Sequence, residues 1–253
     1  MRFESFGLSD VGLRRSHNED SFHRSDELGV FVVADGMGGH AAGEVASNSA
    51  IQSIVEFARR GAEEEYVTWP FGFDPRHDRA VNVLLNGMRI ANQRIYLMQQ
   101  ERPELSGMGT TIAALLLQEG KAVTAHVGDS RVYRWRGNRM EQLTSDHSWV
   151  NEQLMKNIIT AEEARNHRYK NVITRALGNR VDLEIDVRTE ELLVGDVFLV
   201  CSDGLSGMID DDSISHVLTE THDLRECANR LVTAANEAGG HDNITVIMIR
   251  CVE

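Results

Sequence analysis

The stretches Gly29–Ala34 and Val197–Cys201 are almost continuously apolar, the pattern of strands buried on both faces. Ile244–Ile249 has the same character. Leu183, Ile185 and Val187 alternate with Glu184, Asp186 and Arg188, which predicts a strand with one wet face. Between residues 110 and 143 the chain reads as a meander. Thr111–Leu117 turns at Glu119-Gly120 into Ala122–Val127, and Arg131–Trp135 turns at Gly137-Asn138 into Arg139–Leu143. Two-residue connections containing glycine join antiparallel neighbours.

Helical spacing comes in blocks. Ala42, Ala46, Ala50 and Ile54 recur every four residues; Ala80, Leu84, Met88, Ala91, Ile95 and Met98 mark a second helix; Leu224, Cys227, Ala228, Leu231 and Ala235 mark a third. Two helices followed by a run of strands do not make a βαβ alternation, so the pattern predicts an α+β fold with antiparallel sheets. Doubly buried strands in such sheets imply two sheets packed together with helices outside. Residues 144–180 break the rhythm with a helical stretch that carries a capping-box pattern at Thr160…Glu163. This excursion is either a lid or a plain helical crossover.

The 253 residues contain only three prolines and show no repeat or flexible linker, so one domain spanning 1–253 is expected. No apolar run approaches the ~20 residues of a membrane span, and the acidic, broken start Met1–Phe6 is unlike a signal peptide. A soluble, cytoplasmic, monomeric protein without membrane insertion is the expectation. The net charge of −13 argues against a nucleic-acid partner. Cys201, Cys227 and Cys251 form no C-x-x-C pair and open no C-x5-R phosphate loop, and their apolar surroundings predict reduced core thiols.

Four aspartates share one setting. Asp35 ends the strand Val30–Ala34 and is followed by Gly36; Asp203 ends Val197–Cys201 and is followed by Gly204. Asp129 follows Ala125–Gly128, and Asp242 precedes Asn243–Val246. Glu19-Asp20 form a further acidic pair. One Asp-Gly is ordinarily a turn or a cap. Several carboxylates off the ends of core strands repel one another unless cations lie between them. An oxygen-only set favours Mg²⁺ or Mn²⁺ over zinc. Two hard cations ~3.5–4 Å apart activate water and stabilise both oxygens of an in-line displacement, which suits phosphate-ester hydrolysis. A two-metal nuclease would use the same ligands, but the acidic surface speaks against it. Arg15, one of the 23 arginines beside only three lysines, is either a solvated side chain or a fork holding a phosphate.

The segments Ser9-Asp10-Val11-Gly12-Leu13-Arg14-Arg15-Ser16-His17-Asn18-Glu19-Asp20, Ala34-Asp35-Gly36-Met37-Gly38-Gly39-His40 and Gly107-Met108-Gly109-Thr110-Thr111 occur in this order. They are followed by His126-Val127-Gly128-Asp129-Ser130-Arg131, Asn171–Gly178, Ser202-Asp203-Gly204-Leu205 and Gly240-His241-Asp242-Asn243-Ile244-Thr245. In these segments the chain resembles the metal-dependent serine/threonine protein phosphatases of type 2C, the PPM family, and most closely their bacterial members. The resemblance implies a four-layer α-β-β-α sandwich of two antiparallel sheets flanked by helices, with 144–180 as a helical flap beside the site.

By the same resemblance two Mn²⁺ or Mg²⁺ ions are expected, with a third, weaker site. Asp35 matches the bridging ligand, with the Gly36 carbonyl beside it, Asp203 and Asp242 match ligands of one ion, and Glu19 a ligand of the other. Asp20 matches a residue supporting bound waters, Arg15 the phosphate-binding arginine, and Asp129 a ligand of the weaker ion. The implied activity is hydrolysis of phosphoserine and phosphothreonine in proteins, opposing a bacterial serine/threonine kinase. A pseudophosphatase and an enzyme for another phosphoester are the alternatives. Met37 stands where animal members have a histidine proposed as general acid; His40 and His241 are nearby, each a proton donor or a structural histidine. The segment Tyr66–His77 is an insertion that either packs locally or docks a partner.

Overall fold

The computed structural model describes residues 1–38, 41–64 and 66–253; His40 lies outside them. In chain order the elements are β1 (Arg2–Asp10), β2 (Asp20–Ser25), β3 (Val30–Met37), α1 (Ala41–Glu63), α2 (Arg79–Glu101), β4 (Gly109–Thr110), β5 (Ile112–Gln118) and β6 (Lys121–Val127). There follow β7 (Arg131–Arg136), β8 (Arg139–Gln142), α3 (Trp149–Met155), α4 (Ala161–Arg165), β9 (Asp186–Glu191), β10 (Val197–Cys201), α5 (Asp203–Ser206), α6 (Asp211–Glu220), α7 (Leu224–Glu237) and β11 (Ile244–Val252).

Two antiparallel sheets result, one ordered β1-β11-β10-β7-β8 and the other β2-β3-β5-β6-β9, with β4 pairing onto the end of β3. Strand alternation sorts the side chains into three apolar layers. Val30, Val32 and Ala34 face α1 and α2, whereas Phe31 and Val33 face the second sheet. On β10 and β11, Leu199, Cys201, Val246 and Met248 pack against α7, and Phe198, Val200, Ile247 and Ile249 fill the gap between sheets. The layers are therefore helix, sheet, sheet, helix. Strands covered on both sides leave no polar face, which is why 30–34 and 197–201 are apolar throughout.

Two expectations are corrected. The 110–143 segment is two hairpins, β5-β6 and β7-β8, rather than one meander. The chain leaves one sheet at Val127 and enters the other at Arg131, because Gly128 takes φ +106°, a conformation glycine reaches without strain. The strand expected over 183–187 begins only at Asp186, which pairs with His126 one residue before the end of β6. Leu183 and Ile185 still pack against the helix-side core without a ladder.

The 144–180 segment carries α3 and α4, and the Thr160–Glu163 capping box is formed in both directions. All three cysteines are free and buried. The 66–77 insertion packs locally: Trp69 meets Phe57 and Phe73 edge-on at 5.7 and 5.2 Å, and Asn82 and Asn86 accept the Asp74 and Phe71 backbone N–H groups.

Candidate active site

The site forms where the apolar layer between the sheets stops. Asp35 follows Phe31 and Val33 on the same face of β3, and Asp20 precedes Phe22 on β2. The β2-β3 register sets Asp20 directly opposite Asp35. The other sheet contributes from its own strand ends. Asp203 begins α5 just after β10, and Asp242 lies two residues before β11. These two loops touch: a Cβ on Gly204 would lie 1.9 Å from the Asn243 carbonyl oxygen. Asp129 arrives from the passage between sheets.

Small polar residues fix these carboxylates. Ser202 Oγ donates to Asp20 Oδ2 at 2.7 Å and accepts the Thr245 N–H at 3.0 Å. Asn243 Oδ1 accepts the Glu19 N–H at 2.8 Å, while its Nδ2 donates to the Val11 and His17 carbonyls at 2.9 Å. Ser47 Oγ donates to the Glu19 carbonyl at 2.7 Å. Thr111 Oγ1 accepts the Asp35 N–H at 3.2 Å and lies 2.7 Å from Ser130 Oγ, next to Asp129. Gly36 is pressed against α1, with its missing Cβ 2.1 Å from the Gly43 carbonyl oxygen. Ser202, Asn243, Thr111 and Ser47 were not singled out from sequence. Ser202 and Asn243 did carry a signal, as polar residues touching a candidate acid at the end of an apolar run.

Six carboxylates therefore meet in one place, with Arg15 as their ion-pair partner: its Nη2 donates to Asp242 Oδ2 at 2.7 Å, with half of its side chain exposed. The half-buried Arg131 guanidinium moderates Asp129 and Asp203, but its hydrogen bonds go to Asp146 and Tyr133. Burial, opposed by hydrogen bonds from Thr245 and Ser202, pushes the Asp20 carboxyl up to about 8. Burial also raises Asp35, which is lifted further by Asp20, Asp203 and Asp129. Asp129 and Asp203 are raised the same way, by burial and then by Asp203 and Asp242 respectively. Burial lifts Glu19 against the pull of Arg15, and the hydrogen bond to Asp242 raises Arg15.

The test of a metal site is whether these oxygens have partners. Among the described residues Glu19 Oε1, Asp20 Oδ1, Asp129 Oδ1 and Asp203 Oδ1 are buried and accept no hydrogen bond. Buried polar atoms are ordinarily satisfied. Four orphaned carboxylate oxygens in one cluster, all hard donors, fit divalent cations of the Mg²⁺ or Mn²⁺ kind.

The protein phosphatase 2C family model matches residues 14–237. The chain belongs to the protein phosphatase 2C family. It is 37% identical over 248 residues to the serine/threonine phosphatase stp of Listeria welshimeri, covering 95% of this chain and 93% of that one. It is 38% identical to the protein phosphatase PhpP of Streptococcus pneumoniae, over 96% and 95% of the two chains. Among solved structures, the Mycobacterium tuberculosis serine/threonine phosphatase PstP/Ppp superposes with a TM-score of 0.88 at 34% identity, over 100% of both chains. The catalytic domain of PstP in complex with two manganese ions gives 0.86 at 34% identity, over 100% and 99%.

In a phosphatase 2C built this way, the Gly204–Asn243 contact sets the spacing of Asp203 and Asp242. Gly204→Ala forces a methyl group into a backbone carbonyl, and should cost about 2–3 kcal/mol. The urea midpoint of the variant against the parent measures this; an unchanged midpoint would show that the two loops are free to part.

Proposed function

We propose that this chain is a metal-dependent protein serine/threonine phosphatase whose active centre is the carboxylate cluster, with residues 1–253 acting as one phosphatase domain. The observation that carries the reading is the set of orphaned, buried carboxylate oxygens at the convergence of the two sheets. Family membership and the manganese-bound relative support the same choice of cofactor. Asp35, with the Gly36 carbonyl, is assigned as the bridge between two Mn²⁺ or Mg²⁺ ions, Asp203 and Asp242 as ligands of one, and Glu19 as a ligand of the other. Asp129 is assigned to a third, weaker ion. When bound, the two ions lower the pKa of a water nucleophile and neutralise the charge developing on the phosphoryl group.

The chain's own residues do the rest. Arg15 places a planar fork at the mouth of the site, half exposed and tethered to Asp242, where its remaining donors can hold two phosphoryl oxygens. That contact orients the ester for in-line attack. Ser202 holds one oxygen of Asp20 so that Oδ1 is left to accept from water. Met37, beside the bridging residue, has no proton to give the leaving alcohol.

The substrates are phosphoserine and phosphothreonine in proteins, and the opposing enzyme is a bacterial serine/threonine kinase. The finer assignments are a cytoplasmic location and a monomeric state. No helix among the described residues is long and apolar enough to cross a membrane. With Mn²⁺ the protein should hydrolyse p-nitrophenyl phosphate and a phosphothreonine peptide, and excess EDTA should abolish both. Full turnover in EDTA would refute the metal mechanism, and a preference for nucleotides over phosphopeptides would refute the substrate class.

A further inference from the structure

The helices leave the outer face of the β1-β11-β10-β7-β8 sheet partly bare at the end remote from the carboxylate cluster. There Trp135 of β7, Val197 of β10 and Arg250 of β11 stand side by side in register across three strands. Trp135 and Val197 pack against the apolar layer beneath α6 and α7, so the row lies on the helix side of the sheet. But α6 ends at Glu220 and α7 begins only at Leu224, and the linker 221–223 supplies just Thr221 and His222 to the gap. What remains is a cavity of about 450 Å³, within the size range of small-molecule sites. Leu218, Leu224 and Cys227, all buried, form its floor. Gly137 and Gly195 lie on its rim, where a Cβ would meet nothing within 4 Å, so the mouth is open. β10 runs from Val197 toward Asp203, and its length places the cavity about 14 Å of strand from the cluster.

The lining carries one permanent charge. Arg250 is half-buried, and its Nη2 donates to the His222 carbonyl. Among the described residues its Nε and Nη1 have no acceptor, and no carboxylate pairs with it, although Glu4 is its cross-strand neighbour on β1. That is unusual in a chain with 39 acidic residues. No aspartate or glutamate lines the cavity. The nearby acids are engaged elsewhere: Glu220 pairs with Arg230 at 2.6 Å, and Asp223 accepts the Glu226 N–H at 2.8 Å. A partly desolvated guanidinium with free donors, set beside an apolar chamber, favours an anion with an apolar body. Its planar fork matches a carboxylate. Cys227 offers no competing chemistry. Its Sγ donates to the Thr221 carbonyl at 2.9 Å, and burial raises its pKa, so the thiol is neither a nucleophile nor a ready ligand for a soft metal.

We propose that this cavity is a binding site for a small amphipathic carboxylic acid, with the apolar body against Trp135, Val197 and Leu224 and the carboxylate on Arg250. The site is separate from the carboxylate cluster, needs no metal ion, and does not compete with a phosphoester. A bound acid would span the ends of β10 and β11 opposite to those that lead to Asp203 and Asp242.

The tryptophans report where a ligand binds. Of Trp69, Trp135 and Trp149, Trp135 alone lines the cavity. The isotopically labelled full chain, in EDTA, is titrated with naphthylacetate and with its neutral analogue naphthylacetamide, and the indole N–H resonances are followed by NMR. Naphthylacetate should shift the Trp135 signal and leave the other two in place, with a Kd at or below about 1 mM. The amide should bind the same place roughly tenfold more weakly. Arg250→Met keeps the aliphatic stem and removes the fork. It should weaken the acid at least tenfold, to the level of the amide, and leave the amide within about threefold, which also shows that the cavity is intact. Val197→Phe fills the chamber from a strand position and should weaken both ligands about tenfold or more. Saturating inorganic phosphate should leave the titration of the acid unchanged. A Trp135 signal that does not move at millimolar acid would overturn the proposal. So would equal affinity for acid and amide, undiminished acid binding in Arg250→Met or Val197→Phe, or displacement by phosphate. None of these readouts depends on turnover, so the phosphatase assignment stands or falls separately.

Discussion

Asp35→Asn should give a folded protein whose turnover of a phosphothreonine peptide is lower by about 10³-fold or more, equivalent to roughly 4 kcal/mol of transition-state stabilisation. Asp35 is opposite Asp20 in the ladder and within the fields of Asp203 and Asp129. Its acidic neighbours come from both sheets, as do those of Asp20, a position that suits a ligand shared by two cations. The amide keeps the shape but loses the charge and one of the two anionic oxygens. A general loss of structure would also lower activity, so the sign of the stability change is the discriminating readout. Removing one of several mutually repelling buried charges should raise the melting temperature of the chelated protein, not lower it. A variant within tenfold of parental turnover, or one that melts earlier in EDTA, would sink the assignment.

The residues that were legible in advance were those whose chemistry conflicts with their surroundings. Asp35 and Asp203 stand at the ends of strands with no polar face; one such Asp-Gly reads as a turn or a cap, but four aspartates in the same setting do not. The doubly buried strands also implied two sheets, since a single sheet leaves one face wet. What was not legible depended on distance along the chain. Nothing local marks that Ser202 reaches back to Asp20, or that Asn243 clamps the Val11–Glu19 loop. The two hairpins at 110–143 read as one meander because Gly128 offers the same signal whether the next strand pairs or departs.

In the chelated protein, stability should fall as pH rises from about 4 to about 8. Asp20, Asp35, Asp129 and Asp203 all have folded-state pKa values above the ~3.9 of an unfolded aspartate. A raised folded-state value means that the native chain holds protons the unfolded chain has released. The stabilisation is complete below the unfolded value and is lost as pH passes the folded one, which for Asp20 is about 8. Burial lowers the pKa values of His23, His126 and His147, so these groups add stability as pH rises toward the ordinary histidine value, but their contribution is complete near neutral pH, whereas the carboxylate loss continues to about 8. Asp186, held low by Arg175 despite partial burial, and Glu141, held low by Arg188, are both about 41% exposed, so solvent screens their pairs.

The expected drop is on the order of 10 °C in Tm between pH 5 and pH 8.5. Saturating Mn²⁺ should abolish or reverse the slope, because cations bind the ionised cluster and therefore bind more tightly as the protons leave. Scanning calorimetry in EDTA and in Mn²⁺, across one pH series, reads both effects. A chelated protein whose Tm is flat or rises over that window would mean that the carboxylates do not crowd one another, and a site without crowding has no need of two cations.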